Sequence, residues 1–219
     1  MTQAELSASI QAQIARAARL AGRKASDVAL IAVSKTYDAA AIAPLIEAGH
    51  RSFGENRVQE AQSKWPDLMA QTLGIDLHLI GQLQSNKAEE AVALFGTIHS
   101  VDRLSLVTAL AKAQDKLDKR PACFLQVNIG DEAQKGGCPV ADVPALLAEA
   151  QAAGLDMIGL MALPPADVEP APYFALLAKM ARDFGLDGLS MGMSSDFETA
   201  IMIGATHIRV GSALFGARG

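Results

Sequence analysis

The sequence predicts an α/β fold, a single (β/α)8 barrel of the TIM type with an extra N-terminal helix. Short apolar or alternating runs typical of strands alternate with Ala- and Leu-rich stretches of helical length. Eight such runs occur in 219 residues, with starts about 25 residues apart, which is close to the length of one strand, one helix and two short loops. The chain is therefore slightly shorter than a typical barrel of ~250 residues.

The first predicted element is an amphipathic helix from Thr2 to about Ala21. Thr2 and Glu5 have the spacing of a capping box, and Gly22 follows as a helix stop. The apolar face of this helix carries Leu6, Ile10 and Ile14. We expect this face to pack across the bottom of the barrel, and contact with a partner protein is the alternative.

The strands and helices of the barrel follow in alternation. The predicted strands are Val28–Ser34, Arg51–Gly54, Asp76–Gly81, Thr97–Val101, Ala122–Ile129, Asp156–Ala162, Gly188–Met191 and Thr206–Val210. The predicted helices are Ala39–Ala48, Val58–Gln71, Lys87–Leu94, Leu104–Lys116, Val140–Ala153, Ala171–Phe184 and Phe197–Ile203. A doubly wound open sheet is the alternative for the same alternation. No Pro- or Ser-rich linker interrupts the pattern, so we expect one domain over residues 1–219.

The composition excludes several classes of protein. The chain has 19 Lys and Arg against 24 Asp and Glu, a net charge of −5, and half of its residues are apolar. A nucleic-acid binder needs an excess of positive charge, and a disordered chain lacks the apolar residues for a core. The two cysteines form no CxxC pair, which argues against a disulfide framework or a zinc site. Without a targeting segment or a membrane-spanning run, we expect a cytoplasmic protein that does not contact membranes.

Lys35 ends the run Val28–Lys35, directly after the first predicted strand, and has the same strand parity as Ile31 and Val33. Reactive groups of a (β/α)8 barrel lie at the C-terminal ends of its strands. If this face points inward, the amine lies above an apolar floor, where poor solvation favours its neutral, nucleophilic form. Such an amine suits imine formation with an aldehyde or ketone. The alternative is a lysine that extends from the strand end into solvent.

The loops after the seventh and eighth strands have the residues of a phosphate site. Ser194 and Ser195 follow the seventh strand, and the capping-box spacing of Ser195 and Glu198 predicts a helix start behind a Gly-containing turn. Gly211 and Ser212 follow the eighth strand in the same way. These two loops form the recurrent phosphate site of this fold, although serine and glycine are also ordinary turn residues.

Three further polar residues fall at strand ends. Arg209 alternates with Ile208 and Val210, which predicts that it points inward. An inward arginine needs a partner, either a carboxylate of the protein or a ring nitrogen or phosphate of a ligand. Asn56 and His78 also lie at or just beyond strand ends, where a structural role is the alternative for each. Comparable positions to which we assign no role are His99, Asn128 and Met161.

An amine beside a phosphate site predicts a ligand with a carbonyl and a phosphate, such as pyridoxal 5′-phosphate or a phosphosugar. Nine segments then match one family pattern in order: residues 32–36, 53–60, 78–87, 100–103, 126–128, 159–162, 189–194, 209–212 and 215–216. On these segments the sequence resembles the pyridoxal phosphate homeostasis protein family, which is similar to the N-terminal barrel domain of alanine racemase. The resemblance covers nearly the whole chain.

The resemblance implies roles for the candidate residues. Lys35 would hold pyridoxal 5′-phosphate as a Schiff base, and Arg209 would face the pyridine nitrogen. The phosphate would be held by Ser194, Ser195, Gly211 and Ser212, and the ring would be lined by Asn56 and His78. The sequence departs from the family pattern at Gln82, where many relatives have proline, and in the loop of residues 134–137.

Three functions remain open on the sequence alone. The resemblance implies a cofactor-binding protein of intracellular vitamin B6 homeostasis without catalytic turnover. A racemase needs a second proton-transfer group, which in alanine racemase is a tyrosine of another domain, and the tyrosines here are Tyr37 and Tyr173. An aldolase acting on a phosphosugar has no specific support. We expect pyridoxal 5′-phosphate as the cofactor, pyridoxal-phosphate-dependent apoenzymes as recipients, and a monomer.

Overall fold

In the computed structural model residues 2–215 are described, and their strands form a closed parallel barrel surrounded by helices. The strands are β1 Ala29–Val33, β2 Ser52–Glu55, β3 Asp76–Leu79, β4 Thr97–Val101, β5 Ala122–Asn128, β6 Cys138–Pro139, β7 Asp156–Ala162, β8 Gly188–Ser190 and β9 His207–Val210. The helices are α1 Gln3–Leu20, α2 Ala39–Glu47, α3 Val58–Gln71, α4 Ala88–Leu94, α5 Leu104–Leu117, α6 Val143–Ala152, α7 Ala171–Asp183, α8 Phe197–Ile203 and α9 Ser212–Phe215. Gly216, the last residue of the ninth matching segment, lies outside the described residues. None of the described helices combines the length and the apolar character needed to cross a bilayer.

The sheet is closed, because the strands at the two ends of the ring also pair with each other. The strand order is β4-β3-β2-β1-β9-β8-β7-β5, and β4 also pairs with β5. All pairs are parallel. The two-residue strand β6 pairs with the last two residues of β5 and lies outside this ring. The eight predicted strands correspond to the eight strands of the ring, which confirms the barrel and excludes the open sheet.

The two faces of each strand have different environments. Leu30 and Ala32 of β1 belong to the hydrophobic core between the strands and the helices. The interior of the barrel is more polar. His99 on β4 bonds there to Ser190 on β8, and this bond crosses the interior because the two strands are not neighbours in the sheet. A layer of hydrogen-bonded side chains therefore crosses the interior of the barrel beneath the C-terminal ends of the strands.

The N-terminal helix forms as predicted, but it packs elsewhere. Thr2 and Glu5 form the capping box in both directions. The helix does not cross the bottom of the barrel; it lies outside, where Arg16 of α1 pairs with Glu198 of α8 (2.7 Å) and α2 also contacts it. The physical reason is that the last described helix, α9, has only four residues, so that α1 covers the barrel wall beside α8.

The predicted capping box of Ser195 and Glu198 is wrong. Asp196 is the N-cap of α8, and its carboxylate accepts a hydrogen bond from the backbone N–H of Met193 (2.5 Å) rather than from the helix. Glu198 instead forms the ion pair with Arg16. Serine and aspartate are both good cap residues, so two in succession leave the helix start undetermined in the sequence.

Candidate functional site

A cavity of about 230 Å³ lies at the C-terminal ends of the strands. Five of the eight predicted site residues line it: Lys35, Asn56, Ser194, Arg209 and Gly211. The rest of its lining is mostly apolar and consists of Val33, Ile80, Leu163 and Met193. We call this space the Lys35 cavity. Its place in the fold is where (β/α)8 barrels hold their reactive groups.

Lys35 is the lysine that lines this cavity. Its side chain is half-buried, and among residues 2–215 the amine has no hydrogen-bond or ion-pair partner. Val33, of the same strand parity, lines the cavity with it, which confirms the apolar floor. The next residue, Thr36, has a left-handed backbone (φ 68°), and its N–H donates to the carboxylate of Glu60. That conformation is uncommon for a β-branched residue, so the turn after Lys35 is held by its surroundings.

Lys64 of α3 braces the same segment from the other side. Its buried amine donates to the backbone carbonyls of Ser34 and Tyr37, each at 2.9 Å. It also lies 2.9 Å from the carboxylate of Glu55, which is fully buried and accepts from the indole N–H of Trp65 (2.9 Å). The backbone on both sides of Lys35 is thus fixed by α3.

Arg209 lies at the inner wall of the Lys35 cavity and is buried, as its strand parity predicts. Its guanidinium donates to the hydroxyl of Ser190 (2.5 Å) and to the carbonyl of Ala162 (3.0 Å). Burial lowers the pKa of Arg209 to about 10, against an opposite effect of Asp196, so it remains cationic at neutral pH. No carboxylate of the described residues lies within ion-pair distance of this cation.

The predicted phosphate-binding residues divide into two groups. Ser194 and Gly211 line the Lys35 cavity, with Ser194 exposed to it. Ser195 lines a neighbouring cleft of about 670 Å³, and Ser212 is exposed at the start of α9. The Lys35 cavity therefore receives one hydroxyl and one glycine backbone from the two loops.

Two glycines set the path of the loops around the cavity. Gly192 has φ 93°, and a Cβ there would lie 2.6 Å from the Cβ of Ala200. Its carbonyl accepts from the backbone N–H of Arg209 (3.0 Å). Gly81 packs against Asn56 so closely that a Cβ would lie 2.3 Å from the Asn56 carbonyl oxygen. Only glycine permits these close approaches, which place Asn56 and the loop of Ser194 at the cavity.

The structure places His78 away from the cavity lining. The imidazole is buried below it, with Nδ1 2.9 Å from Nε2 of His99. Its Nε2 lies 2.9 Å from both the hydroxyl of Ser52 and the carboxylate of Asp76. His78 therefore belongs to the interior of the barrel, one strand period below Ile80, which takes the cavity position.

The apolar lining is the part of the site that the motif analysis missed. Ile80, Leu163 and Met193 lie just beyond the ends of β3, β7 and β8. Period-two alternation contains a signal for the first of them, because Ile80 has the parity of the inward-facing His78. Met193 and Leu163 lie in loops, where strand parity does not apply.

The two departures from the family pattern contact each other. The side chain of Gln82 donates to Gln126 of β5 (2.7 Å), which in turn donates to the carbonyl of Gly136 (3.1 Å). A Cβ at Gly136 would lie 1.9 Å from the Gln82 amide nitrogen. The glutamine and the glycine therefore form one packed unit at the loop after β5.

Tyr37 lies in a different part of the surface from the Lys35 cavity. Its ring stacks on Phe215 (4.3 Å between centroids, 18°) and lines a groove of about 840 Å³ between α2 and α3. Tyr173, the other tyrosine, is half-buried on α7 and packs against the core. Neither ring lines the Lys35 cavity.

Comparison with known proteins gives concordant results. The family model described as alanine racemase, N-terminal domain, matches residues 7–219. The chain is 45% identical to the pyridoxal phosphate homeostasis protein of Pseudomonas aeruginosa, over 99% of this chain and 96% of that one. PipY of Synechococcus elongatus has a similar structure without pyridoxal phosphate (TM-score 0.88, 39% identity, 97% of this chain and 99% of that one). A second PipY structure, with pyridoxal phosphate bound, is similar over 93% of this chain and all of that one (TM-score 0.80, 40% identity).

Proposed function

Because the chain belongs to the pyridoxal phosphate homeostasis protein family, we propose that it binds pyridoxal 5′-phosphate in the Lys35 cavity and acts in intracellular vitamin B6 homeostasis. The observation that carries the proposal is the presence in one cavity of Lys35, whose amine has no partner among residues 2–215, and of Arg209, a buried cation that pairs with no carboxylate of those residues. The relative PipY, which has been solved with pyridoxal phosphate bound, supports the choice of ligand.

The residues of the cavity fit this ligand in size and chemistry. An apolar cavity of ~150 Å³ accepts benzene, so about 230 Å³ suits one substituted aromatic ring. The walls supply an amine for an aldehyde, a hydroxyl and a glycine backbone for a phosphate, and apolar side chains for the ring faces. We propose that Ser195 and Ser212 belong to the outer part of the phosphate site, and we leave His78 out of the set that touches the ring.

Each residue has a definite task in the proposal. The Lys35 amine would condense with the aldehyde of the ligand, with loss of water, and the resulting Schiff base would anchor the ligand. Ser194 and the Gly211 backbone hold the phosphate, and Asn56 lies beside the ring. Arg209 donates a hydrogen bond to the pyridine nitrogen, because a guanidinium can only donate. Bound pyridoxal phosphate supplies an electron sink for amino-acid chemistry, and a donor at the ring nitrogen that keeps it unprotonated weakens this sink.

We propose binding and delivery without catalytic turnover. Racemisation needs proton-transfer groups on both faces of the substrate carbon, and the rings of Tyr37 and Tyr173 do not line the cavity. The naming of the relatives as homeostasis proteins supports the same choice. We further propose that recipients are pyridoxal-phosphate-dependent apoenzymes, that the chain acts as a monomer, and that it resides in the cytoplasm. The free, buried Cys123 and Cys138 are compatible with a reducing compartment.

Borohydride reduction followed by peptide mass analysis tests the anchor. With excess pyridoxal 5′-phosphate, we expect a phosphopyridoxyl adduct on Lys35, and no imine absorbance in Lys35→Ala. Lys116→Ala serves as the control, because this lysine is exposed, pairs with Glu89 and lies far from Lys35 in the sequence. An adduct on other lysines in place of Lys35 would refute the assignment, and racemisation of amino acids by the loaded protein would refute the absence of turnover.

A further inference from the structure

A chain of side-chain hydrogen bonds runs through the barrel from the Lys35 cavity to its opposite end. Arg209 donates to Ser190 Oγ (2.5 Å), and this oxygen lies 2.9 Å from His99 Nδ1. His99 Nε2 lies 2.9 Å from His78 Nδ1, and His78 Nε2 lies 2.9 Å from the Asp76 carboxylate. Asp76 begins β3 at the N-terminal end of the barrel, and 53% of its side chain is exposed.

The chemistry of the two ends gives this chain one direction. A carboxylate can only accept, so His78 carries its proton on Nε2, facing Asp76. With its proton on Nε2, His78 accepts at Nδ1 from the Nε2–H of His99, and His99 Nδ1 then accepts from the hydroxyl of Ser190. The Ser190 oxygen, having donated its hydrogen, presents its lone pairs to Arg209. Every polar atom along the path is satisfied in this arrangement.

This chain of hydrogen bonds takes the place of the carboxylate with which a buried arginine usually pairs. A buried cation without compensation is strongly disfavoured, because it has lost its hydration. Here the guanidinium has a carbonyl, that of Ala162, and an oriented hydroxyl whose orientation is fixed by two histidines and an acid at the far end. The ring of Phe124 stacks on His99 (4.5 Å, 15°) and holds the imidazole in place. With two N–H groups engaged inside the barrel, the remaining donors of Arg209 are available at the cavity.

We propose that Ser190 and His99 are positioning residues for Arg209, part of a relay through His78 to Asp76 that fixes the guanidinium for the ring nitrogen of the ligand. Neither Ser190 nor His99 lines the Lys35 cavity, so each acts through Arg209. This inference rests on the proposed function and names the residues that set its selectivity for a pyridine ring over a ring without nitrogen.

The test compares pyridoxal 5′-phosphate with its 1-deaza analogue, in which a C–H group replaces the ring nitrogen. We expect Ser190→Ala and His99→Phe to weaken binding of pyridoxal 5′-phosphate about tenfold and to leave binding of the deaza analogue unchanged. Ser190→Thr keeps the hydroxyl and should restore most of the preference. The matched control is Ser100→Ala, since Ser100 is equally buried on β4 and its hydroxyl has no partner in the described residues.

Nitrogen-15 NMR of the ligand-free wild type gives an independent measurement. We expect His99 and His78 to carry their protons on Nε2, and the Nδ1 signal of His99 to shift in Ser190→Ala. Equal weakening of both ligands in the variants, or an Nδ1–H tautomer of His99, would overturn the relay. Failure of the proposed function would look different, because wild-type protein would then form no adduct on Lys35 and bind neither ligand.

Discussion

In the proposed function, Arg209 and Lys35 are the single residues that prepare the cavity for an anionic, electrophilic ligand. Among residues 2–215, Arg209 has no carboxylate partner and the Lys35 amine has no partner at all. Both groups therefore have hydrogen-bonding capacity that the described residues do not use. A ligand that bonds to both gains free energy that an ordinary surface site does not offer. Ser194 is the third residue of this kind, since its hydroxyl lines the cavity without a protein partner in the described chain.

At the residue scale, Ser194→Ala should weaken binding of pyridoxal 5′-phosphate about tenfold or more. Hydrogen bonds to charged groups contribute roughly 1.5–3 kcal/mol, and the alanine removes one from the phosphate. Binding of pyridoxal, which has no phosphate, should change little. Titration by imine absorbance measures both affinities, with Ser105→Ala, an exposed serine on α5, as the control. Equal loss for the two ligands would remove Ser194 from phosphate binding.

At the scale of elements, α3 acts as a support for the loop between β1 and α2. Lys64 and Glu60 of this helix bond to backbone groups on both sides of Lys35. The ion pair of Lys64 with Glu55 is buried, with 8% and 0% of the two side chains exposed. A helix packed on the outside of the barrel thus determines the backbone conformation of a residue inside the cavity.

Lys64→Met should destabilise the fold by about 3–5 kcal/mol, because it leaves the Glu55 carboxylate buried without its cation. It should also slow imine formation at Lys35, since the segment loses two backbone anchors. Urea unfolding and stopped-flow absorbance measure the two effects. Arg16→Met is the matched control, because its ion pair with Glu198 is exposed and is worth at most ~1 kcal/mol. Equal stability losses in the two variants would contradict the support role.

The sequence predicts the strands and helices more completely than it predicts how they pack against one another. Alternation of strand and helix patterns predicts all eight barrel strands, and strand parity places Arg209 and Lys35 correctly. The position of α1 is not predictable this way, because an apolar face does not specify which surface covers it. His78 illustrates the other limit: an inward polar residue one strand period below the cavity has the same sequence signature as one that lines it.

The whole molecule is tied together across the ends of the chain. β1 pairs with β9, and α1 pairs with α8 through Arg16 and Glu198. Removal of either end would expose strand edges around the ring, which is costly for a parallel sheet. This connectivity supports our prediction that residues 1–219 form one domain.

One domain should unfold in one transition. Trp65, the single tryptophan, is fully buried between α3 and β2, and its fluorescence reports on the first half of the barrel. Far-UV circular dichroism reports on all helices. We expect the two signals to give the same urea midpoint and the same slope. Separate midpoints would show that the halves of the barrel unfold independently.

Three histidines, of which His99 is buried and His50 and His207 are half-buried, should make the stability of the whole barrel depend on pH. Burial lowers the pKa of His50, lowers that of His99 well below its usual range, and lowers that of His207 to about 4. For His99 and His207 the positive charge of Arg209 acts in the same direction, whereas Asp76 raises the pKa of His207. These three histidines are therefore neutral in the folded protein at neutral pH.

The free energy of unfolding should fall as the pH decreases from about 6.5 towards 4. Above 6.5 the histidines are neutral in both states, whereas below it the unfolded chain binds protons that the folded barrel does not accept. His207 alone should contribute about 2 kcal/mol to this loss, allowing for its partial exposure, and the decline from this residue should end near its folded pKa of about 4. Urea unfolding at pH 7, 6 and 5 measures the slope. His207→Gln, which cannot titrate, should flatten it, and an unchanged slope in that variant would show that other groups govern the acid sensitivity.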